Sequence, residues 1–515
     1  MSAPETDSYA ARRALAGDAR PHDAAPPDDP AAGAAARDTM ARDALALDGP
    51  RGSAPAVQVA GAAAAAADAA RQAAAARPEA SVRRRVLTLA WPAVLEQVLF
   101  TFVGLADVYI VGHLGAAAIT GVGLGGQVTF LAFTIFAGLG VGSTALVARH
   151  VGAGEPDEVT RLAWQSLVVA AVCGALVTAI GLLFAEPIMQ LFGADAEVIA
   201  LGAAWLRVYA LSLPLLSVLF IGNAVLRGAG DTRTPLIAMA LVNVINVAVA
   251  WILVRVLGFG VVGSALGATL GQAAGGLLIG ALLWRGRSGV RLAGNWSGLD
   301  LARIRRLVHI GLPASAEQLM LQLALATVAI VITHMGTAAY AAHIVTWRLS
   351  GIAFLPGWGF AVAANTLVGQ ELGRRDVARA RRSGYVAFWL ALAVMIGMGL
   401  PLFLFAEPLV AFMTTDPEVI RLGAIALRLA ALAQAPMAAS FVFSGSLRGA
   451  GDTRSTLIIT GVSIWGVRLA LAYLLGIVFG LGLPGVWLAI IGDFVARGLL
   501  FWARFHFGRW DTIRV

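Results

Sequence analysis

Long apolar runs alternate with short polar connections along most of the chain. Twelve runs can be drawn, at about 86–111, 118–147, 161–184, 197–225, 235–257, 261–284, 307–333, 339–369, 384–405, 418–446, 456–478 and 484–506. A helix needs about 20 apolar residues to cross the hydrocarbon layer, so each run is long enough to span. The pattern predicts an all-α integral membrane protein with twelve transmembrane helices. Residues 1–80 break it. They are rich in Ala, Pro, Asp and Arg and hold no apolar core segment, so they do not read as a signal peptide. A disordered cytoplasmic tail is expected there, in which the Ala60–Ala76 run has the propensity for a helix.

The runs repeat. Leu226–Arg233 reads LRGAGDTR, and so does Leu447–Arg454, 221 positions later. Phe184–Pro187 (FAEP) returns as Phe405–Pro408, and Pro92, Glu96, Gln97 and His113 return as Pro313, Glu317, Gln318 and His334. The register slips by one in the fifth run of each half, where Gly258, Gly260 and Gly263 meet Gly480, Gly482 and Gly485. Each half therefore holds six spans and both enter from the same side. The expected lobes are residues 84–290 and 300–512, parallel repeats about an axis along the membrane normal. Transporters of this build bind substrate near the midplane and rock one half against the other.

Charge adds orientation. Arg83, Arg84 and Arg85 precede the first run, Arg285–Arg306 separates the sixth from the seventh, and Arg374–Arg382 separates the eighth from the ninth. The alternate connections, such as His113–Thr120 and Phe479–Pro484, hold no arginine. Arginine next to spans stays cytoplasmic, so both termini are expected there. The net charge of +8 then reports topology and gives no reason to expect a nucleic-acid partner.

Composition agrees and removes chemistries. Hydrophobic residues make up 59% and charged residues only 13%, against about 25% charged in soluble domains. One cysteine, Cys173, allows no disulfide framework and no cysteine-based metal site. All 38 of the Lys and Arg residues are arginine, so a Walker A lysine and a pyridoxal Schiff base are both absent. No HExxH or GxSxG signature occurs. Any work the chain does is expected to draw on an ion gradient.

A few polar residues inside the runs carry the candidate chemistry. Asp107 leads, because an acid within a span costs ~2.5–3.5 kcal/mol and usually faces a polar cavity. It could carry a proton or hold Na⁺ or an organic cation; the plainer alternative is a residue at the outer end of its helix. Its repeat partner is Val328, so such a site belongs to the first lobe alone. Glu96 and Glu317 fall near the midplane and could line a cavity with Gln97 and Gln318, or form a symmetric structural pair with those glutamines. Asn223 and Asn243 are weaker cavity candidates that could instead join helices. Arg468 and Asp493 could neutralise each other. Trp358, with Phe354 and Phe360, could offer an adaptable greasy surface or simply pack. Pro92 should kink the first helix, and Pro313 its counterpart. LRGAGDTR reads as a helix end: glycine for a left-handed turn, Arg227 and Arg448 at the negative pole of the dipole, Asp231 and Asp452 as N-caps. A phosphate loop would need a preceding strand and a lysine, and has neither.

With DVYIVGHLG at Asp107–Gly115, WGVRLALAYLL at Trp465–Leu475 and FGRW at Phe507–Trp510 beside the doubled LRGAGDTR, the chain resembles the MATE family of multidrug and toxic compound extrusion transporters. It is most similar to the DinF-like prokaryotic branch, over about residues 84–512. The resemblance implies export of amphipathic, often cationic compounds in exchange for H⁺ or Na⁺, without a cofactor. It implies that Asp107 is the first-span coupling aspartate, Pro92 the first-span proline and Asn246 the fifth-span asparagine, with Gln97 in support. The chain departs from the pattern at Ala250, where the family has a second acid. It departs again at Leu321 and Met437, where another branch carries its C-terminal acids. A coupling site with one carboxylate follows, and either H⁺ or Na⁺ would suit it.

The expected protein is a monomeric antiporter of the bacterial inner membrane, and not an enzyme. The alternative within transport is a flippase for a lipid-linked or other amphipathic precursor, which a cavity lined with arginine would favour. A membrane-embedded enzyme would need converging catalytic groups, and a passive channel would conduct without coupling.

Overall fold

The computed structural model describes residues 55–294 and 298–513, with side chains from Ser81 onward. Two units are distinguished, Met1–Ala76 and Arg77–Val515. Of the disordered tail expected over residues 1–80, the part from Pro55 onward has a helical backbone, and residues 1–54 fall outside the described residues. Every candidate span belongs to the second unit.

Among the described residues, ten single helices are long and apolar enough to span. They are α1 (Ser81–Gly112), α2 (Ala116–Ala153), α3 (Pro156–Gln190), α5 (Arg233–Val256), α6 (Gly260–Arg285), α7 (Leu301–Thr333), α8 (Thr337–Gly373), α9 (Val377–Leu404), α11 (Thr453–Val478) and α12 (Gly482–Phe507). Two bent pairs complete twelve: α4 (Ala196–Ala210 and Leu213–Gly228, 55°) and α10 (Pro417–Leu432 and Gln434–Gly449, 46°). The hydrophobic pattern ran straight through both bends. Pro214 explains the first: it has no N–H for the Ala210 carbonyl, which accepts from Thr178 Oγ1 of α3 at 2.8 Å instead. Pro436 stands in the first turn after the break in α10.

α1 and α7 each pack on both lobes. The first half of α1, with Val82, Val86, Leu89 and Ala90, shares a core with Phe360 and Leu367 of α8 and Met437 of α10. Its second half turns to the first lobe, where Ile110 packs on Ala250 and Val254 of α5. α7 mirrors this. Leu307 and Ile310 join the first lobe's core, whereas Val328 and Ile332 join α10, α11 and α12. Pro92 and Pro313 lie where each helix changes partner, the place at which a missing backbone hydrogen bond makes bending least costly.

The lobes close on each other at the arginine-rich end. Glycines let the backbones touch: a Cβ on Gly373 of α8 would overlap the Arg149 carbonyl oxygen of α2, and one on Gly152 would overlap that of Gln370. Side chains add a lock. Glu371 of α8 is fully buried and bonds Arg85 of α1 at 2.5 Å, with Arg374 at 3.0 Å and Arg379 at 3.5 Å. Thr366 Oγ1 and Gln370 Nε2 donate to the carbonyls of Arg227 and Gly228 at 3.0 and 3.1 Å. Gly373→Val should force α2 and α8 apart. The expected outcome is a longer spin-label distance across this end and slower transport; an unchanged distance would show that the approach is not limiting.

The one-residue slip between the repeats has a structural seat. α11 contains a π turn, Val462–Arg468, where α5 is regular α-helix from Arg233 to Trp251. The later π turns Ile252–Val256 and Leu474–Val478 match at the slipped offset, as do the left-handed pairs Gly258/Gly260 and Gly480/Gly482. A π bulge absorbs the extra residue within a continuous helix. Past it, Arg468 takes the place of Asn246, Asp493 that of Gly271, and Arg497 that of Gly275.

Candidate coupling site

Asp107 sits in the second half of α1, facing α5. Asn246 Nδ2 lies 3.3 Å from both of its carboxylate oxygens. The Asn246 amide is buried, and its Oδ1 accepts no hydrogen bond among the described residues. Also in the first lobe, Gln272 Nε2 of α6 donates to Tyr209 Oη of α4 at 2.8 Å. Gln272 Oε1 is likewise an unpaired buried acceptor. The Asp107 carboxylate and an amide with an unpaired oxygen therefore meet inside the first lobe. Such a set can hold a proton on the carboxylate or ligate a small hard cation with oxygen. Tyr209 and Gln272 carried no signal in the sequence beyond being polar within a span.

The other expected members fall elsewhere. Gln97 lies ten residues from Asp107 on the same helix, ~15 Å along the axis; it does not join the site. Ala250 is fully buried against Ile110 and Val254, so the place of the family's second acid is apolar packing. Among the described residues no cluster of three His, Cys, Asp or Glu forms. With Ala250 in apolar packing, a cation bound beside Asn246 would rest on the Asp107 carboxylate.

Glu96 and Glu317 pair with arginine rather than with Gln97 and Gln318. Arg227 reaches Glu96 at 3.6 Å, and Arg448 reaches Glu317 at 2.8 Å. Thr456 and Thr460 also donate to Glu317, at 3.0 and 2.8 Å. Two glutamates offered as cavity anions are thus neutralised inside their lobes. A carboxylate buried this deeply needs such a partner, and an arginine one helix away supplies more than a glutamine can. Gln318 keeps an unpaired Oε1. Asn243 Nδ2 donates to the Leu99 carbonyl at 2.7 Å and so ties α5 to α1, while Asn223 is buried in α4 with its Oδ1 unpaired. Trp358 lies 5.6 Å from the Phe441 ring, within the α8–α10 packing.

The repeated octapeptide ends α4 and α10. Gly230 and Gly451 are left-handed, at φ 91° and 87°. Asp231 accepts from the Thr234 backbone N–H at 2.9 Å and from Ser288 and Arg287. Burial pushes its carboxyl up, but the Ser288 and Thr234 hydrogen bonds and the Arg287 charge outweigh that and hold it below the usual carboxylate range. Asp452 caps α11 and binds Arg504 at 2.8 Å.

In the second lobe Asp493 is fully buried. Arg468 approaches it at 2.5 Å and Arg497 at 2.6 Å, and Ser463 Oγ donates at 2.6 Å. The expected pair is a triad, and Arg497 is the member the sequence did not single out. Where the first lobe has Asn246 beside Gly271, the second has guanidinium groups closed on a carboxylate. Asp493 has no exposed surface, so none of its lone pairs is directed at solvent.

Twelve apolar helices in two repeated lobes, with one carboxylate–amide centre in the first, define a multi-pass membrane transporter. The MatE family model matches residues 92–252 and again 313–474, once in each lobe, and the chain belongs to that family. It is 31% identical to a probable multidrug resistance protein NorM of Thermotoga maritima, over 84% of this chain and 93% of that protein. To the multidrug resistance protein PmpM of Pseudomonas aeruginosa it is 27% identical, over 76% and 84%. A solved structure described as the outward-facing conformation of a multidrug resistance MATE family transporter superposes with a TM-score of 0.79 at 25% identity, covering 84% of this chain and 97% of that one.

Proposed function

We propose that this protein is a secondary-active antiporter. It exports amphipathic, often cationic organic compounds against an inward flow of H⁺ or Na⁺ bound at Asp107. The observation that carries this is the Asn246 amide set astride the Asp107 carboxylate, in the lobe whose counterpart position in the other half is Val328. The multidrug names of the relatives supply the substrate class, and the apolar walls of the lobes suit it. The arginine-rich end is cytoplasmic, with both termini, in a bacterial inner membrane. The state described is then closed to the cytoplasm at Arg85–Glu371. The protein acts as a monomer.

A flippase for anionic lipid-linked precursors is less suited. The half-buried Arg227 and Arg448 and the buried Arg468 and Arg497 are all held by acids within their own lobes, so they do not line a cavity as free cations.

Transport in proteoliposomes, with H⁺ and Na⁺ gradients imposed separately and ethidium as the probe, tests the proposal. Uphill ethidium movement driven by one of the gradients is expected, and movement that ignores both would contradict it. Asn246→Ala removes a hydrogen bond to a charged group, worth about 1.5–3 kcal/mol. Half-saturation should shift by about tenfold or more with folded yield unchanged: to lower concentration if the coupling cation is H⁺, because the lost bond favoured the ionised carboxylate, and to higher concentration if it is Na⁺, which loses the amide oxygen; equal half-saturation would remove Asn246 from the site.

A further inference from the structure

A groove of about 470 Å³ runs along the arginine-rich end between α7 and α11. Its floor is apolar, with Leu301, Val308 and Leu312 exposed. Its rim is basic: Arg305 and His309, one turn apart on α7, face Arg454 at the start of α11. Among the described residues none of the three has an acidic partner, because the nearby acids are committed. Asp452 holds Arg504, and Asp300 and Glu158 hold Arg303. Above the rim, exposed Leu319 and Leu323 of α7 and Ile458 and Val462 of α11 continue the apolar track.

The repeat supplies an internal comparison. The equivalent positions in the first lobe are Arg84, Thr88, Trp91 and Arg233. There the Arg233 guanidinium stands 6.0 Å from the Trp91 ring centroid, so the indole covers the site and engages its cation. In the second lobe Leu312 replaces Trp91 and His309 replaces Thr88. The cover is gone and a basic group is added.

We propose that the α7–α11 groove binds an anionic glycerophospholipid of the cytoplasmic leaflet, its phosphate held by Arg305, His309 and Arg454 and an acyl chain laid along Leu312. Basic pockets between spans at that leaflet recognise phosphate headgroups. The leaflet assignment rests on the orientation proposed above. Pro313 also lines the groove, at the point where α7 passes from one lobe to the other. A bound lipid would brace α7 at its bend and make transport sensitive to lipid charge.

The test uses the full chain, delipidated in detergent and titrated with phosphatidylglycerol or phosphatidylcholine, with bound lipid counted by native mass spectrometry. Each juxtamembrane arginine changes affinity for anionic lipid about fivefold. The pair Arg305→Gln with Arg454→Gln should therefore weaken phosphatidylglycerol binding about 25-fold. The matched pair Arg84→Gln with Arg233→Gln removes the same charge from the covered site and should leave binding near the unaltered level. All four side chains are exposed, so folding should survive. Equal losses in both pairs, or none in the first, would overturn the proposal. So would displacement of the lipid by inorganic phosphate at equal concentration, which would leave the apolar floor without a role. In oriented proteoliposomes, a labelled lipid bound from the opposite leaflet would overturn the orientation while leaving the groove intact.

Discussion

Asp107→Asn should abolish ion-coupled export and leave the protein at least as stable as before. The two halves of that outcome have one cause. A carboxylate within a span costs ~2.5–3.5 kcal/mol on insertion scales, and the structure offsets it with a single amide donor at 3.3 Å from each oxygen. An isosteric amide removes the cost, so folded yield and thermal midpoint should hold or rise. It also removes the charge that the Asn246 amide engages. A coupling cation then has no anion to bind, and a proton has no carboxylate to occupy. Facilitated equilibration of ethidium could persist, but accumulation against its gradient should not. Loss of folding instead of coupling would mean that Asp107 is a structural residue.

Asp493→Asn should behave in the opposite way. Asp493 is fully buried between Arg468 and Arg497. Neutralising it leaves two guanidinium groups facing each other with no anion between them. Breaking a buried pair by removing one partner costs about 3–5 kcal/mol, and here two cations lose the same partner. A large drop in thermal midpoint is expected, measured by fluorescence during heating in detergent. The molecules that remain folded should still couple ethidium export to the ion gradient. A stable variant that had lost coupling would move the coupling carboxylate into the second lobe.

Much of this architecture was legible in the sequence because the bilayer imposes one period and one length. Apolar runs, arginine placement and the doubled LRGAGDTR were enough for twelve spans in two lobes. Asp107 was legible for the same reason, since an acid in such a run needs an explanation. Partners were not. Glu317 and Arg448 stand 131 positions apart on different helices, and nothing local in either run announces the contact. The repeat held a signal that could have found it: Glu96 and Arg227 recur at the same separation as Glu317 and Arg448. Arg497 and the Tyr209–Gln272 pair were missed because a polar residue within a span shows its role only with its neighbours. The bends at Pro214 and Pro436 were missed because hydropathy does not register direction. The slip between the repeats was visible as a number, and its cause, a π turn at Val462–Arg468, needed the backbone.

The central claim is that one carboxylate couples this transporter, and the coupling ratio tests it most directly. Unaltered protein in proteoliposomes is brought to the point at which an opposing ethidium gradient just stops net flux, for a series of imposed H⁺ or Na⁺ gradients. A slope of one coupling cation per ethidium, abolished by Asp107→Asn, is the predicted result. A slope of two, or a slope that survives Asp107→Asn, would contradict it.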